Sequence, residues 1–436
     1  MCLLVLFRQS SYTCSVKKTQ TASIHTALIK EGKKKMHNFQ YYTPTKVVFG
    51  KDTEKQTGSL VKEQGGKKVL IHYGGGSVIR SGLLDRVKAS LAAEHMDFVE
   101  LGGAVPNPRL GLVYEGIELC KKEGVDFILA VGGGSAIDSA KAIGYGAVNE
   151  GDVWDFYDYK RQPSHCLPIG VVLTIAATGS EMSDSSVITK EDGWIKRGYS
   201  NDLSRPRFAV MNPDLTKTLP DYQTACGCTD ILMHTMERYF TNGGNMEITD
   251  SMAEALMRTV IKNAKILAED PLNYDARAEI LWAGSLSHNG LTGCGNAGGD
   301  FASHALEHEI GGLFDVAHGA GLAAIWGSWA RYVYKNCLPR FHRFAVNVMG
   351  IEDLGAPDDT ALKGICAMED FYRAIHMPTS LQELGIAPTD GDLKTMARKC
   401  AVASGGQKGS AMVLHEDEML AIYRMADHGP EKTAAH

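Results

Sequence analysis

An unbroken apolar run, Phe127-Ile-Leu-Ala-Val131, empties directly into Gly132-Gly-Gly-Ser135 and then into the helical pattern Ala136-Ile-Asp-Ser-Ala-Lys-Ala142. Five apolar residues without a polar break read as a strand buried on both faces, the habit of parallel sheets. The same figure stands earlier in the chain. Lys68-Val-Leu-Ile-His-Tyr73 runs into Gly74-Gly-Gly-Ser77, followed by a helical pattern through Leu84, Val87 and Leu91. Strand, glycine turn, helix, strand is the rhythm of βαβ units, so a Rossmann-like α/β fold is expected. Phe98-Val-Glu-Leu101 and Pro168-Ile-Gly-Val-Val-Leu173 read as further strands. The β-rich run before Gly50 contains Pro44, which suits a sheet edge better than a central strand.

Beyond Asn212-Pro-Asp214 and Pro220 the strand patterns nearly vanish. Apolar spacing over 233–239, 252–267, 276–286 and 361–375 is that of helices. A chain of 436 residues has room for two or three domains. The expected division is a dinucleotide-binding α/β domain over 36–214 and an all-helical, metal-binding domain over 215–436. Residues 1–35 look foreign to both. They hold seven Lys/Arg and one Glu, a net of +6 against −12 for the remainder, and show no sustained period. We expect this extension to be disordered, with Met36 as the true initiator or the segment acting as a targeting sequence.

Several function classes are excluded at this stage. The acidic body argues against a nucleic-acid surface. No apolar run approaches the roughly 20 residues needed to span a bilayer. The ten cysteines form no C-x-x-C pair and read as reduced thiols, which points to the cytoplasm. Cys226-Gly-Cys228 places two thiols on different sides of a helix, which favours packing over metal binding.

Two chemical signals remain. Glycines at 132–134 let backbone N–H groups approach a pyrophosphate, and the helix that follows adds a favourable dipole. The turn departs from G-x-G-x-x-G, since Ile137 stands where the third glycine would be. At the end of the strand before Gly74 there is no acidic residue to bond a ribose and repel a 2′-phosphate, so NADP is favoured, with NAD also possible. The second signal is histidine spacing. Asp230-x-x-x-His234 and His304-x-x-x-His308 are both i, i+4 pairs, each on one helical face. Gly311-Gly312 is expected to end the second helix and swing His318 back to the same point. Carboxylate and imidazole together suit Zn(II) or Fe(II). Any one of these histidines alone reads as an ordinary core or surface residue; the combination points to a metal. A competing pattern, His304-Ala-Leu-Glu307-His308, matches the H-x-x-E-H zinc hydrolases with Glu307 as general base. That reading leaves both glycine turns unexplained.

In order along the chain, Gly132-Gly-Gly-Ser-x-x-Asp138, Thr174-Ile-Ala-Ala-Thr-Gly-Ser-Glu181, Asp230-x-x-x-His234, His304-x-x-x-His308 and His318-Gly319 resemble the iron-containing (group III) alcohol dehydrogenases. Asn38-Phe39, Thr43-Pro-Thr45 and Tyr73-Gly-Gly-Gly-Ser77 bring the resemblance to the butanol dehydrogenase-like, NADPH-dependent aldehyde reductase branch. It covers the chain from about Met36 onward. The resemblance implies a dehydroquinate synthase-like architecture and a homodimer. It implies a divalent metal, Fe(II) or Zn(II), held by Asp230, His234, His304 and His318, with His308 near the nicotinamide but not a ligand. It implies a pyrophosphate loop at Gly132, Gly133, Gly134 and Ser135, and cofactor-pocket positions at Asn107, Asp138, Thr174, Thr178 and Lys196. Gly75, Gly76 and Ser77 would meet the adenosine ribose. The implied reaction interconverts primary, butanol-like alcohols and aldehydes by hydride transfer, with the metal as Lewis acid and His308 as proton relay. A glycerol-type polyol dehydrogenase is the nearest alternative.

Overall fold

The computed structural model describes residues 36–243, 246–296 and 298–428. The expectations for 1–35 lie outside the described residues. The described residues form eight strands: β1 (Lys46–Phe49), β2 (Lys68–Gly74), β3 (Asp97–Ala104), β4 (Phe127–Gly132), β5 (Ile169–Leu173), β6 (Ser185–Lys190), β7 (Ile195–Ser200) and β8 (Phe208–Met211). Six of them form one parallel sheet in the order β1-β8-β5-β4-β2-β3. β1 is an edge of that sheet, just after Pro44, as the proline suggested.

The reason β4 reads as a continuous apolar run is visible in its packing. All six of its residues are buried. Phe127, Leu129 and Val131 face one layer with Val69, Ile71 and Val210, while Ile128 and Ala130 face the other with Leu70, Val171 and Ala209. On the first side lie α1 (Thr57–Glu63), α2 (Ser77–Arg80) and α3 (Leu83–Ala93). α4 (Leu110–Glu123) and α5 (Gly134–Val148) cover the second, with the short α6 (Trp154–Tyr157) following. This is the doubly wound arrangement, in which ligands bind beyond the C-terminal ends of the strands.

The hairpin β6–β7 was not foreseen. It is antiparallel, separate from the main sheet, and pairs Ser185 to Lys190 against Ile195 to Ser200. After β8 the described chain is helical: α7 (Asp221–Tyr239), α8 (Glu247–Glu269), α9 (Tyr274–His288), α10 (Ala302–Phe314), α11 (His318–Val333), α12 (Leu338–Asn347), α13 (Pro357–Ala374), α14 (Asp390–Ala403) and α15 (Glu416–His428). None of the described helices is long and apolar enough to cross a membrane.

One expectation is corrected here. Gly311 and Gly312 do not end α10, which runs through them to Phe314. A β-carbon on Gly311 would stand 2.9 Å from Glu307 Oε1, and one on Gly312 would stand 3.3 Å from the Trp194 carbonyl, so these glycines serve close approach. The helix exits instead at Asp315, in the left-handed region at φ 51. Asp315 Oδ1 there accepts hydrogen bonds from Asn107 Nδ2 at 3.0 Å and Arg109 at 3.1 Å, tying the helical part to the loop before α4.

Candidate metal centre and coenzyme cleft

α7, α10 and α11 bring four potential ligands together. Asp230 and His234 sit one turn apart on α7, His304 lies in the first turn of α10, and His318 opens α11. Close helix approach is what makes this meeting possible. A β-carbon on Gly319 would fall 2.1 Å from the Cys226 carbonyl, so α11 reaches α7 only because that side chain is missing.

Asp230 Oδ1 is the hub. It lies 3.5 Å from His234 Nδ1, 3.5 Å from His304 Nε2 and 3.7 Å from His318 Nε2. Two atoms bound at about 2.1 Å to one tetrahedral ion stand about 3.4 Å apart, so these spacings fit a shared metal. Donor atoms of Asp230, His304 and His318 all lie within 4.8 Å of one another. His234 joins through Asp230 and by stacking on His304 at 4.6 Å. Asp230 Oδ1, His234 Nδ1 and His304 Nε2 are buried and lack hydrogen-bond partners. Buried polar atoms are otherwise nearly always satisfied, so three converging orphans fit a cation between them.

Around these four residues stand two carboxylates, Glu237 and Glu307. Glu237 Oε2 pairs with His304 Nδ1, and Glu307 Oε2 with His318 Nδ1. Each carboxylate fixes its ring so that Nε2 faces Asp230, the carboxylate–histidine arrangement common behind metal ligands. Burial pushes the His304 imidazole down, but Glu237 and Asp230 outweigh it and raise the group to about 9. Burial opposes ionisation of Glu307, yet His318 and Lys196 hold its carboxyl well below the usual range. Lys196 Nζ is 3.3 Å from Glu307 Oε2. With both neighbours engaged, Glu307 is an orienting group rather than a free hydrolytic base, and the H-x-x-E-H reading falls. Glu237 could have been found from sequence, being three residues after His234 and seven after Asp230 on one helical face.

His308 stands beside His304 and His318. Its ring centre is 5.9 Å from that of His318 and 6.4 Å from that of His304. Burial, then the Lys196 charge, drive its pKa well below 6.5. His288, unmarked in the sequence, packs at 4.0 Å from His234 and receives an Arg238 N–H at 3.2 Å.

A cleft of about 530 Å³ opens between the sheet's C-terminal ends and the helices. It is lined by Asn107, Gly134, Ser135, Asp138, Thr178 and Lys196 on one side, and by Asp230, His234, His304, His308 and His318 on the other. Gly132, Gly133 and Thr174 lie just behind this wall at the ends of β4 and β5, and Gly75, Gly76 and Ser77 lie beyond β2. The glycine turn is dictated by contact: β-carbons on Gly133 and Gly134 would stand 2.0 Å from Ile175 Cγ2 and 2.5 Å from Thr178 Cγ2. Asp138 spends its carboxylate within the protein, accepting from Ser180 Oγ at 2.6 Å and from the Val187 N–H at 2.9 Å. The buried Lys141 ammonium donates to the Ser180, Ser183 and Ser185 carbonyls at 2.8, 3.0 and 2.7 Å. Together they latch the 180–187 segment to α5.

Comparison with known proteins agrees with this geometry. Residues 44–213 match the model of the iron-containing alcohol dehydrogenases, and 224–426 match the C-terminal domain of the same family. NADH-dependent butanol dehydrogenase A of Clostridium acetobutylicum is 39% identical over 89% of this chain and 99% of its own. The NADPH-dependent aldehyde reductase YqhD of Escherichia coli is 33% identical over 80% of this chain and 90% of its own. The crystal structure of a Thermotoga maritima NADH-dependent butanol dehydrogenase A superposes with a TM-score of 0.87 at 38% identity, covering 90% of this chain and 99% of that one.

Proposed function

The chain belongs to the iron-containing alcohol dehydrogenase family, and from that premise we propose that Asp230, His234, His304 and His318 hold its divalent metal. The enzyme interconverts alcohols and aldehydes with NAD(P) and that metal. The observation that carries the ligand assignment is the set of orphaned buried atoms around Asp230. One carboxylate with three imidazoles accepts Fe(II) or Zn(II). When bound, the metal supplies Lewis-acid polarisation of the aldehyde oxygen, and the reduced nicotinamide supplies hydride.

The chain's own residues do the rest. Glu237 and Glu307 orient His304 and His318. Gly132, Gly133, Gly134 and Ser135 let the pyrophosphate approach the α5 N-terminus, while Asn107, Asp138, Thr174, Thr178 and Lys196 shape the nicotinamide side. His308, set beside the ligands, relays a proton to the substrate oxygen. At the far end, Gly75, Gly76 and Ser77 receive the adenosine ribose, and NADP is the preferred coenzyme. Arg80 supports this: a β-carbon on Gly76 would lie 2.8 Å from its Nη1, so a guanidinium stands beside the glycine turn.

On this reading, 36–214 is the coenzyme-binding unit and 215–436 the metal-binding one. Exposed Phe39, Tyr41, Tyr42 and Phe49 around the edge strand β1 support a homodimer formed through that edge, which a dimeric mass in solution would bear out and a monomeric one would refute. Cys120, Cys166, Cys226, Cys228, Cys294, Cys366 and Cys400 are free thiols, which supports a cytoplasmic setting.

The assignment is tested by His304→Ala. Elemental analysis of anaerobically purified variant should show loss of metal and activity, while coenzyme titration shows binding retained. Full metal content with normal turnover overturns the ligand set.

A further inference from the structure

Three side chains at the substrate end of the cleft are not used by the reaction as described: Arg238, Phe301 and Lys408, all of which line it. The Phe301 ring is shared by the two cations. The Arg238 guanidinium is 5.0 Å from its ring centre and the Lys408 ammonium 5.9 Å. The same ring is 5.9 Å from that of His304. The ammonium therefore stands two successive ring contacts, each of 5.9 Å, from a proposed metal ligand.

The placement is built. Phe301 is held at φ 52, a left-handed conformation costly for a bulky side chain, which sets its ring in the cleft ahead of α10. Buried Asp300 fixes both partners at once. Its Oδ1 accepts from the Ala302 N–H at 3.0 Å, and its Oδ2 accepts from the Ser410 and Ala411 N–H groups at 2.6 and 2.8 Å. One carboxylate thus anchors the Phe301 turn and the loop that carries Lys408.

At this end of the cleft two cations stand without a direct ion-pair partner among the described residues, although the Glu237 and Asp184 charges reach Arg238. Glu309 is paired with Arg197 at 3.7 Å and Asp184 with Arg205 at 3.6 Å, and Lys196 answers Glu307. Neither Arg238 nor Lys408 forms an ion pair among the described residues. Arg238 spends its donors on the His234 and Ser287 carbonyls and on His288. The Lys408 ammonium lies over the face of Phe301, and its charge also reaches the Cys400 thiol.

We propose that Lys408, backed by the Arg238 charge, recognises an anionic group at the far end of the substrate, so that the preferred aldehyde is a short-chain oxoacid with its carboxylate on Lys408 and its carbonyl at the metal centre. The apolar face of Phe301 carries the intervening methylenes. Reduction adds hydride at the carbonyl carbon and a proton at its oxygen, giving the hydroxy acid. This rests on the alcohol–aldehyde reading of the same site.

Butanal and 4-oxobutanoate have equal carbon counts and differ only in the terminal charge, which makes them the matched probes. A charge-assisted contact corresponds to about a tenfold or larger effect in kcat/KM. The unmodified holoenzyme is expected to favour 4-oxobutanoate by about that factor, Lys408→Met to lose the preference, and Lys408→Arg to keep it. No preference in the unmodified enzyme, or one that survives Lys408→Met, overturns the proposal while butanal reduction stands. A Lys408→Met defect in coenzyme KM shared by both aldehydes also overturns it. Reduction of neither aldehyde would bring down the underlying reaction reading with it.

Discussion

Glu237 and His304 form a fixed pair across α7 and α10: the carboxylate meets both the His304 backbone N–H, at 3.1 Å, and the ring Nδ1. Backbone and side chain are thus held by one group, and Nε2 is left pointing at Asp230, 3.5 Å away.

It follows that Glu237→Gln should weaken metal retention without unfolding the protein. An amide keeps the shape but loses the charge that makes the imidazole a strong donor. Changes behind metal ligands cost about 10- to 100-fold in affinity. Competition against a chelator measures this directly, and unchanged affinity would show that the pair only packs.

The two glycine turns yield a contrast. Gly133→Ala would drive a methyl to within 2.0 Å of Ile175 Cγ2, whereas Gly75→Ala points into open space. Overpacking costs about 1–3 kcal/mol. The first variant should melt at lower temperature and bind coenzyme poorly; the second should melt like the parent. Equal melting of both would show that the 174–178 segment gives way freely.

Lys141 carries a pH signature. Burial, opposed by Asp138 and Asp184, lowers its pKa from 10.5 to about 8. The folded state therefore releases this proton earlier than the unfolded chain does. Between about 8 and 10.5 the unfolded state binds more protons, so this group makes stability rise with pH there and adds no slope below 8. Lys141→Met should remove that rise. It should also destabilise at neutral pH, because three buried carbonyls lose their donor and each unsatisfied group costs about 1–3 kcal/mol. Urea titrations of both proteins across pH 7–10 compare the two slopes, and identical slopes would exclude Lys141 as their source.

How much of this could be read in advance depends on where each signal resides. β4 was legible because burial on both faces leaves no polar residue in the run. Asp230, His234, His304 and His308 were legible because helical spacing is a local property. The β6–β7 hairpin was not: Ser185-Ser-Val-Ile-Thr-Lys190 and Ile195-Lys-Arg-Gly-Tyr-Ser200 lack clean alternation and gain their form from each other. Gly311 and Gly312 misled because glycine at a helix end and glycine at a close contact look alike in one dimension. His288, Phe301 and Lys408 belong to three distant segments, and only tertiary packing brings them to one cleft.

Coenzyme choice gives the cleanest test of an inference drawn first from sequence. The end of β2 offers Gly74, Gly75, Gly76 and Ser77 where a carboxylate would bind the ribose hydroxyls of NAD. Relatives named for NADH and for NADPH both lie close to this chain, so the family alone does not decide. Gly75 is the position to change. No atom lies within 4 Å of a β-carbon built there, and its φ is outside the left-handed region, so Gly75→Asp introduces a carboxylate without a clash. Gly76 is unsuited, since its β-carbon would collide with Arg80. A new carboxylate repels a 2′-phosphate and competes for Arg80, while it can accept from the hydroxyls of NADH. One charge-assisted hydrogen bond is worth about 1.5–3 kcal/mol, so selectivity should move about ten- to a hundredfold towards NADH. Arg80→Ala should weaken NADPH and leave NADH nearly unaffected. Steady-state kinetics with both coenzymes reads all three proteins, and an unmodified enzyme that uses NADH as well as or better than NADPH would place phosphate selection outside this turn.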